Sequence, residues 1–395
     1  MQVTVVTALI LSARCAYSVN TGGNCLCIYR VDATSGELIY IGKVEAGSQP
    51  SSIAMDPTGQ YAYVANYGDS TVSQYRIGAD GALKAMTPAT VTCSWPKSVT
   101  IDPTGQYVYV ANYGHNTVSQ YRIGADGALK AMTPATVAAG AGPTCITVDS
   151  SGQYAYVTNV NHNSVSQFAI AANGVLKTMN PATVATGVIP FSISLHALGQ
   201  FAYVTNLRDS TVSQYTISAD GALKPMFPAT VAAGAGPDTV TIDPTGQYAY
   251  VTSYADNTVS QYTIGADGAL KPMFPATVAV GAGPACITVD PSCQYAYVAN
   301  INDNTVSQFT IGATGSLTPL STNIVAVMSG PKAIVASPES ASMLAMEKFF
   351  YTENACEDTV QQYTIGADGA MEATAMATIA MGTGPIAVIS AGTWR

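Results

Sequence analysis

Tyr61-Ala62-Tyr63-Val64-Ala65-Asn66 returns along the chain as residues 107–112, 154–159, 201–206, 248–253 and 295–300, with small changes. The central tyrosines Tyr63, Tyr109, Tyr156, Tyr203, Tyr250 and Tyr297 stand 46 or 47 residues apart, and Tyr17 and Tyr351 mark two worn copies at the ends. A repeat of this length is one supersecondary unit that must stack on its copies to bury its faces. Within residues 50–96 the unit reads as four short strands. Residues 52–55 are a short apolar run closed by the turn Asp56-Pro57-Thr58-Gly59. Residues 61–65 are aromatic and β-branched. Residues 71–77 follow a polar turn, and residues 83–91 follow the Asp80-Gly81 hairpin signal. Pro88 interrupts the fourth strand, which places that strand at a sheet edge.

Four antiparallel strands per unit, with tight turns and no helical period, predict an all-β fold: a β-propeller of four-stranded blades. The second, third and fourth strands occur eight times, which predicts eight blades, with seven as the alternative if a worn end copy forms no blade. The first-strand segment occurs nine times, from residues 3–9 to residues 386–390, so a C-terminal strand is expected to complete the sheet begun at the N-terminus. Residues 1–395 read as a single propeller domain without linkers. The eighth copy carries extra residues near 340–346.

The net charge of −9 and the lack of a Lys/Arg run argue against nucleic acid as a partner. Residues 1–11 are apolar but lack a basic start, so they read as a strand rather than a leader, and no stretch reaches the length of a membrane span. Eight cysteines show neither C-x-x-C nor a Cys/His zinc spacing, so no metal and no cofactor is expected, and packed free thiols lean towards a cytoplasmic setting. Only 10% of residues are charged, which leans towards an extracellular or periplasmic one. Prolines on the outer edges argue against strand pairing between molecules and favour a monomer.

Tyr156-Val157-Thr158-Asn159 and Tyr203-Val204-Thr205-Asn206 spell the signature of the Tyr-Val-Thr-Asn repeat propellers. The wider unit, with Asp-Pro-Thr-Gly-Gln-Tyr and Thr-Val-Ser-Gln-Tyr, resembles the lactonase-type propellers, which include 6-phosphogluconolactonase-like enzymes. That resemblance implies a propeller, usually of seven blades, and a metal-independent lactonase activity. It carries no catalytic residue onto a numbered position.

Residues 71–91 and 117–137 are identical, so any asymmetric chemistry must use positions where the copies differ. Those positions concentrate in the fourth-to-first and second-to-third loops, which share one face around the channel. After the Gly-Pro turn the residue is in turn Ser51, Lys97, Thr144, Phe191, Asp238, Ala285, Lys332 and Ile386. His115 and His162 occupy the place that Asp69, Asp209, Asp256 and Asp303 hold elsewhere. His115 and His162 are candidate catalytic residues. Lys97, Lys332, Arg208, Asp238 and Trp95 are candidate substrate-binding residues, because lactone hydrolysis needs a base for water and cations for an anionic substrate. The plainer reading makes all of them solvated rim residues. The aspartates themselves read as turn residues, and His196 as structural. Two functions follow: a ring that binds a protein or glycan partner, placed first, and alternatively a lactonase acting on a small anionic sugar lactone.

Overall fold

The computed structural model describes residues 15–20, 24–31, 38–78, 82–289, 293, 295–300, 302–303, 305–326, 331–336, 348–354, 359–365, 371–380 and 385–390, with side chains described at Asn24 and at most positions between residues 44 and 324. The expectations for residues 1–11 and 340–346 lie outside the described residues. Every regular element among the described residues is a β-strand, and the strands form eight four-stranded antiparallel sheets. The first sheet takes Cys15–Asn20, Cys25–Val31, Leu38–Glu45 and, as its first strand in space, Pro385–Ser390. The expected closure of the N-terminal sheet by a C-terminal strand is therefore present, with Tyr17 opposite Ile389. The second sheet runs from Pro50–Met55 to Leu83–Thr92, the third from Pro96–Ile101 to Leu129–Ala138, and the fourth from Pro143–Val148 to Leu176–Ala185. The fifth to eighth sheets start at Pro190–Leu195, Pro237–Ile242, Pro284–Val289 and Pro331–Ala336. These first strands touch their neighbours in a closed cycle, Pro385–Ser390 meeting both Pro331–Ala336 and Pro50–Met55, so they form the inner wall of a ring.

Second and third strands are buried almost throughout because each sheet is covered by its neighbours on both faces. One core cluster shows the arrangement: Tyr63 and Val72 of the second sheet pack on Val99, Val108 and Val110 of the third. Polar groups then stitch the sheets. Gln74 is fully buried; its amide donates to Pro88 O of its own edge strand at 2.9 Å, and its carbonyl accepts Leu129 N–H of the next sheet at 2.5 Å. Gln120, Gln167, Gln214 and Gln261 repeat both bonds. Each glutamine stands at the point where the third-to-fourth strand register shifts, so it also satisfies the carbonyl exposed by that bulge.

A second stitch joins the same sheets. Tyr63 Oη donates to Gly127 O at 2.7 Å, and Tyr109, Tyr156, Tyr203 and Tyr250 do likewise to the hairpin glycine of the following sheet. Gly127 has φ +81° and lies against the Tyr61 ring, where any Cβ would overlap the ring carbons. The Asp-Gly hairpin is thus demanded twice, by backbone twist and by the neighbouring sheet. Burial pushes the Tyr63 and Tyr109 phenols well above their ordinary range, with the turn aspartates Asp56 and Asp102 adding to it.

Gln120→Ala leaves Leu176 N–H and Pro134 O without partners and should cost about 2–4 kcal/mol, whereas Tyr109→Phe, which strands one carbonyl, should cost about 1 kcal/mol. Denaturant midpoints of the two variants check this; an unchanged midpoint for Gln120→Ala would contradict the stitching.

Candidate functional site

The face carrying the variable residues is built from two loops per sheet. Asp69 holds the incoming loop, its Oδ2 accepting Ser48 N–H at 2.8 Å while Thr71 Oγ1 donates to Oδ1. Asp209, Asp256 and Asp303 accept Val188, Ala235 and Ala282 N–H in the same way. These aspartates are turn residues, as their positions suggest. The next loop residue is left-handed in every described copy, glycine at Gly142, Gly236 and Gly283 but Gln49, Trp95 and Ile189 elsewhere. Its N–H is taken by a side chain of the preceding sheet: Asn116 for Gly142, Asn163 for Ile189 and Ser70 for Trp95.

Trp95 therefore sits with φ +45°, a conformation that a large side chain adopts only when its surroundings impose it. Its indole lies against Gly114, is 51% exposed, and meets the Tyr67 ring at 6.1 Å and 50°. Two residues on, Lys97 Nζ lies 3.8 Å from the Tyr67 ring centre, a cation–π contact. Lys97 is half-buried, and desolvation lowers its pKa from the ordinary lysine value. Among the described residues no carboxylate forms an ion pair or hydrogen bond with it. The structure thus brings Trp95 and Lys97 together and adds Tyr67, which sequence reasoning did not single out.

Asp238 occupies the same inner-strand position in the sixth sheet that Lys97 occupies in the third. Burial raises its acid to about 6, and its backbone carbonyl accepts Thr205 Oγ1 at 2.9 Å. His115, His162 and Arg208 are exposed on the second-to-third loops, and His115 borders a cleft between the second and third sheets. No hydrogen bond or ion pair joins any two of Lys97, His115, His162, Arg208 and Asp238 among the described residues. The Lys332 side chain lies outside the described residues. No group of three or more His, Cys, Asp or Glu able to hold a metal occurs among the described residues. His196 is structural: Nδ1 accepts Leu198 N–H at 3.2 Å, so Nε2 carries the proton that meets Gly246 O at 3.1 Å.

The half-buried Asp238 has a consequence for stability. The unfolded chain gives up this proton near the ordinary aspartate value, about 3.9, whereas the native protein holds it to about 6. The native state therefore binds more protons over that interval, and this residue makes stability fall as pH rises through it and stay lower above it. Asp238→Asn should be more stable than the parent chain above pH 6, with the gap closing below about pH 4. Thermal melts of both proteins across this range check it; a variant no more stable at pH 8 would contradict the burial.

Among curated proteins nothing matches the sequence. Solved structures are similar in fold. A candidate 6-phosphogluconolactonase of Bacteroides fragilis matches at 22% identity and TM-score 0.67, over 82% of this chain and 98% of its own. The periplasmic gluconolactonase of Pseudomonas aeruginosa matches at 21% and 0.64, over 80% and 97%. Saccharomyces cerevisiae Sqt1 matches at 12% and 0.67, over 86% and 90%. The first two are matched nearly end to end, while about a fifth of this chain lies outside each match. The lactonase family, described as a seven-bladed β-propeller, matches residues 16–143 and 130–385. With nearly the whole repeat region covered, the chain belongs to the lactonase-type β-propeller family.

Proposed function

We propose that the protein is a lactone hydrolase that takes an anionic sugar lactone at the mouth of the ring. The observation that carries this is Lys97: a half-buried ammonium over the Tyr67 ring, without a carboxylate partner among the described residues. A desolvated cation gains most from an anion arriving with the substrate. Trp95 offers its exposed indole face beside it, which suits the C–H face of a sugar ring. Asp238, on the same ring of inner-strand positions, is the base: an acid raised to about 6 is ionised at neutral pH yet still basic enough to take a proton from water attacking the lactone carbonyl. His115 and His162, exposed on loop tips, stand further from this role. The likeness in fold to a candidate 6-phosphogluconolactonase and to a gluconolactonase supports the substrate class.

A second reading has its own observation. Phe227 and Phe274, on the outer strands of neighbouring sheets, are 101% and 97% exposed, which favours a ring that holds a protein or glycan partner.

Hydrolysis of 6-phosphogluconolactone and gluconolactone, corrected for the spontaneous rate, separates the two. Turnover is expected, with kcat/KM rising as pH passes about 6. Asp238→Asn should lower kcat, and Lys97→Met should raise KM for the phosphorylated lactone about 10- to 100-fold, more than for the neutral one. No turnover on either lactone would overturn the hydrolase reading in favour of the binding ring.

A further inference from the structure

The loop that enters the third sheet is one residue short. Residues 93–95 join Thr92 to Pro96, whereas four residues make the same connection at 46–49, 139–142, 186–189, 233–236 and 280–283. Backbone pairing shows which residue is missing. Cys93 N–H donates to Ser70 O as Ala139 N–H does to Asn116 O, and Ser94 O accepts Gly114 N–H as Ala141 O accepts Asn161 N–H. No residue stands in the place of Gly140 between them. Elsewhere that glycine lies directly on the second-strand asparagine: a Cβ on Gly47, Gly140, Gly187 or Gly281 would fall 2.6 Å from a side-chain atom of Asn66, Asn159, Asn206 or Asn300. In the fourth to seventh sheets the glycine N–H also donates to the third-strand serine, at 2.9 to 3.3 Å. Ser119 of the third sheet is 3% exposed and loses that donor; its Oγ accepts Asn112 Nδ2 at 2.8 Å but no backbone N–H.

A cleft of about 570 Å³ lies where the glycine is missing, with the buried Asn112 and Ser119 at its floor and Thr90, Thr92 and Thr136 of two outer strands in its walls. Its volume is that of a small-molecule site. Lys97 and Asp238, on inner strands, do not line it. We propose that this cleft binds a neutral sugar, at a site separate from the mouth of the ring. Its lining holds no Lys, Arg, Asp or Glu. Burial keeps the Cys93 thiol and the Tyr121 phenol uncharged, each pushed up to about 12, with the Asp69 carboxylate acting further on the thiol. A charged ligand gains little from such walls. The hydroxyls of Thr90, Thr92 and Thr136 form no hydrogen bond among the described residues, and each can both donate and accept. Ser119 Oγ adds an acceptor at the point where the repeat supplies a donor. A sugar meets these demands together: its hydroxyls donate and accept, and its C–H faces fit the apolar stretches at Val91, Ala131 and Ala135.

The test is saturation-transfer NMR of the intact protein with glucose, galactose, mannose and cellobiose, each titrated to a Kd. At least one should bind. A glycine inserted between Cys93 and Ser94 restores the four-residue loop, returns a donor to Ser119 and should weaken that sugar at least about tenfold. Thr136→Val, at an exposed outer-strand position that does not depend on the loop, should weaken it about 2- to 10-fold. Lys97→Met should leave the Kd unchanged, which separates the cleft from the mouth of the ring whether or not the protein hydrolyses a lactone. No binding of any of the four sugars, an unchanged Kd in the folded insertion variant or in Thr136→Val, or binding lost in Lys97→Met would each overturn the proposal.

Discussion

Among the described sheets, the second to the sixth depend on one buried third-strand glutamine each. Gln74, Gln120, Gln167, Gln214 and Gln261 each hold a bulged carbonyl of their own edge strand and an N–H of the next sheet. No hydrophobic residue can replace this arrangement without stranding two backbone groups away from water. The apolar clusters supply the bulk of the attraction between sheets, but they are directionless; the glutamines and the tyrosine-to-hairpin bonds fix the register of one sheet against the next. Because every interior sheet meets the same demand, Ser-Gln-Tyr or Ser-Gln-Phe survives in copy after copy.

That symmetric frame leaves freedom elsewhere. The Asp-Gly face is committed to packing, since the hairpin glycines lie against the tyrosine or phenylalanine rings of the preceding sheet. On the opposite face the loops are clamped through backbone N–H groups, by Asp69, Asp209, Asp256 and Asp303 and by Asn116 and Asn163, so the side chains those loops present can vary. Trp95 exploits this, occupying a left-handed position that three other copies fill with glycine. Lys97 and Asp238 exploit it too: both are ionisable groups moved off their ordinary pKa by burial on the inner wall, the kind of perturbation that concentrates at functional sites.

Much of the fold was legible in the sequence. The 46- to 47-residue period, the Asp-Gly hairpins, the edge proline and the surplus first-strand segment foretold the sheets, their strand order and the closure by Pro385–Ser390. The inter-sheet stitches were not legible, because the partners of Gln74 and Tyr63 lie 55 and 64 residues away and belong to another copy of the unit. The site was half legible. Variation among copies picked out Trp95, Lys97 and Asp238, but a list of variable positions carries no burial. It ranked the exposed His115 and His162 as the bases and passed over Tyr67, whose ring holds the Lys97 ammonium.

The most direct test of the claim that function sits at the varied inner-wall positions is a crystal structure of the protein with 6-phosphogluconate, the open-chain product expected of 6-phosphogluconolactone hydrolysis. The ligand is expected at the mouth of the ring, an anionic oxygen within hydrogen-bond reach of Lys97 Nζ and the carbon chain beside the Trp95 indole. A ligand bound on the uniform Asp-Gly face, or a mouth left empty at saturating concentration, would contradict it.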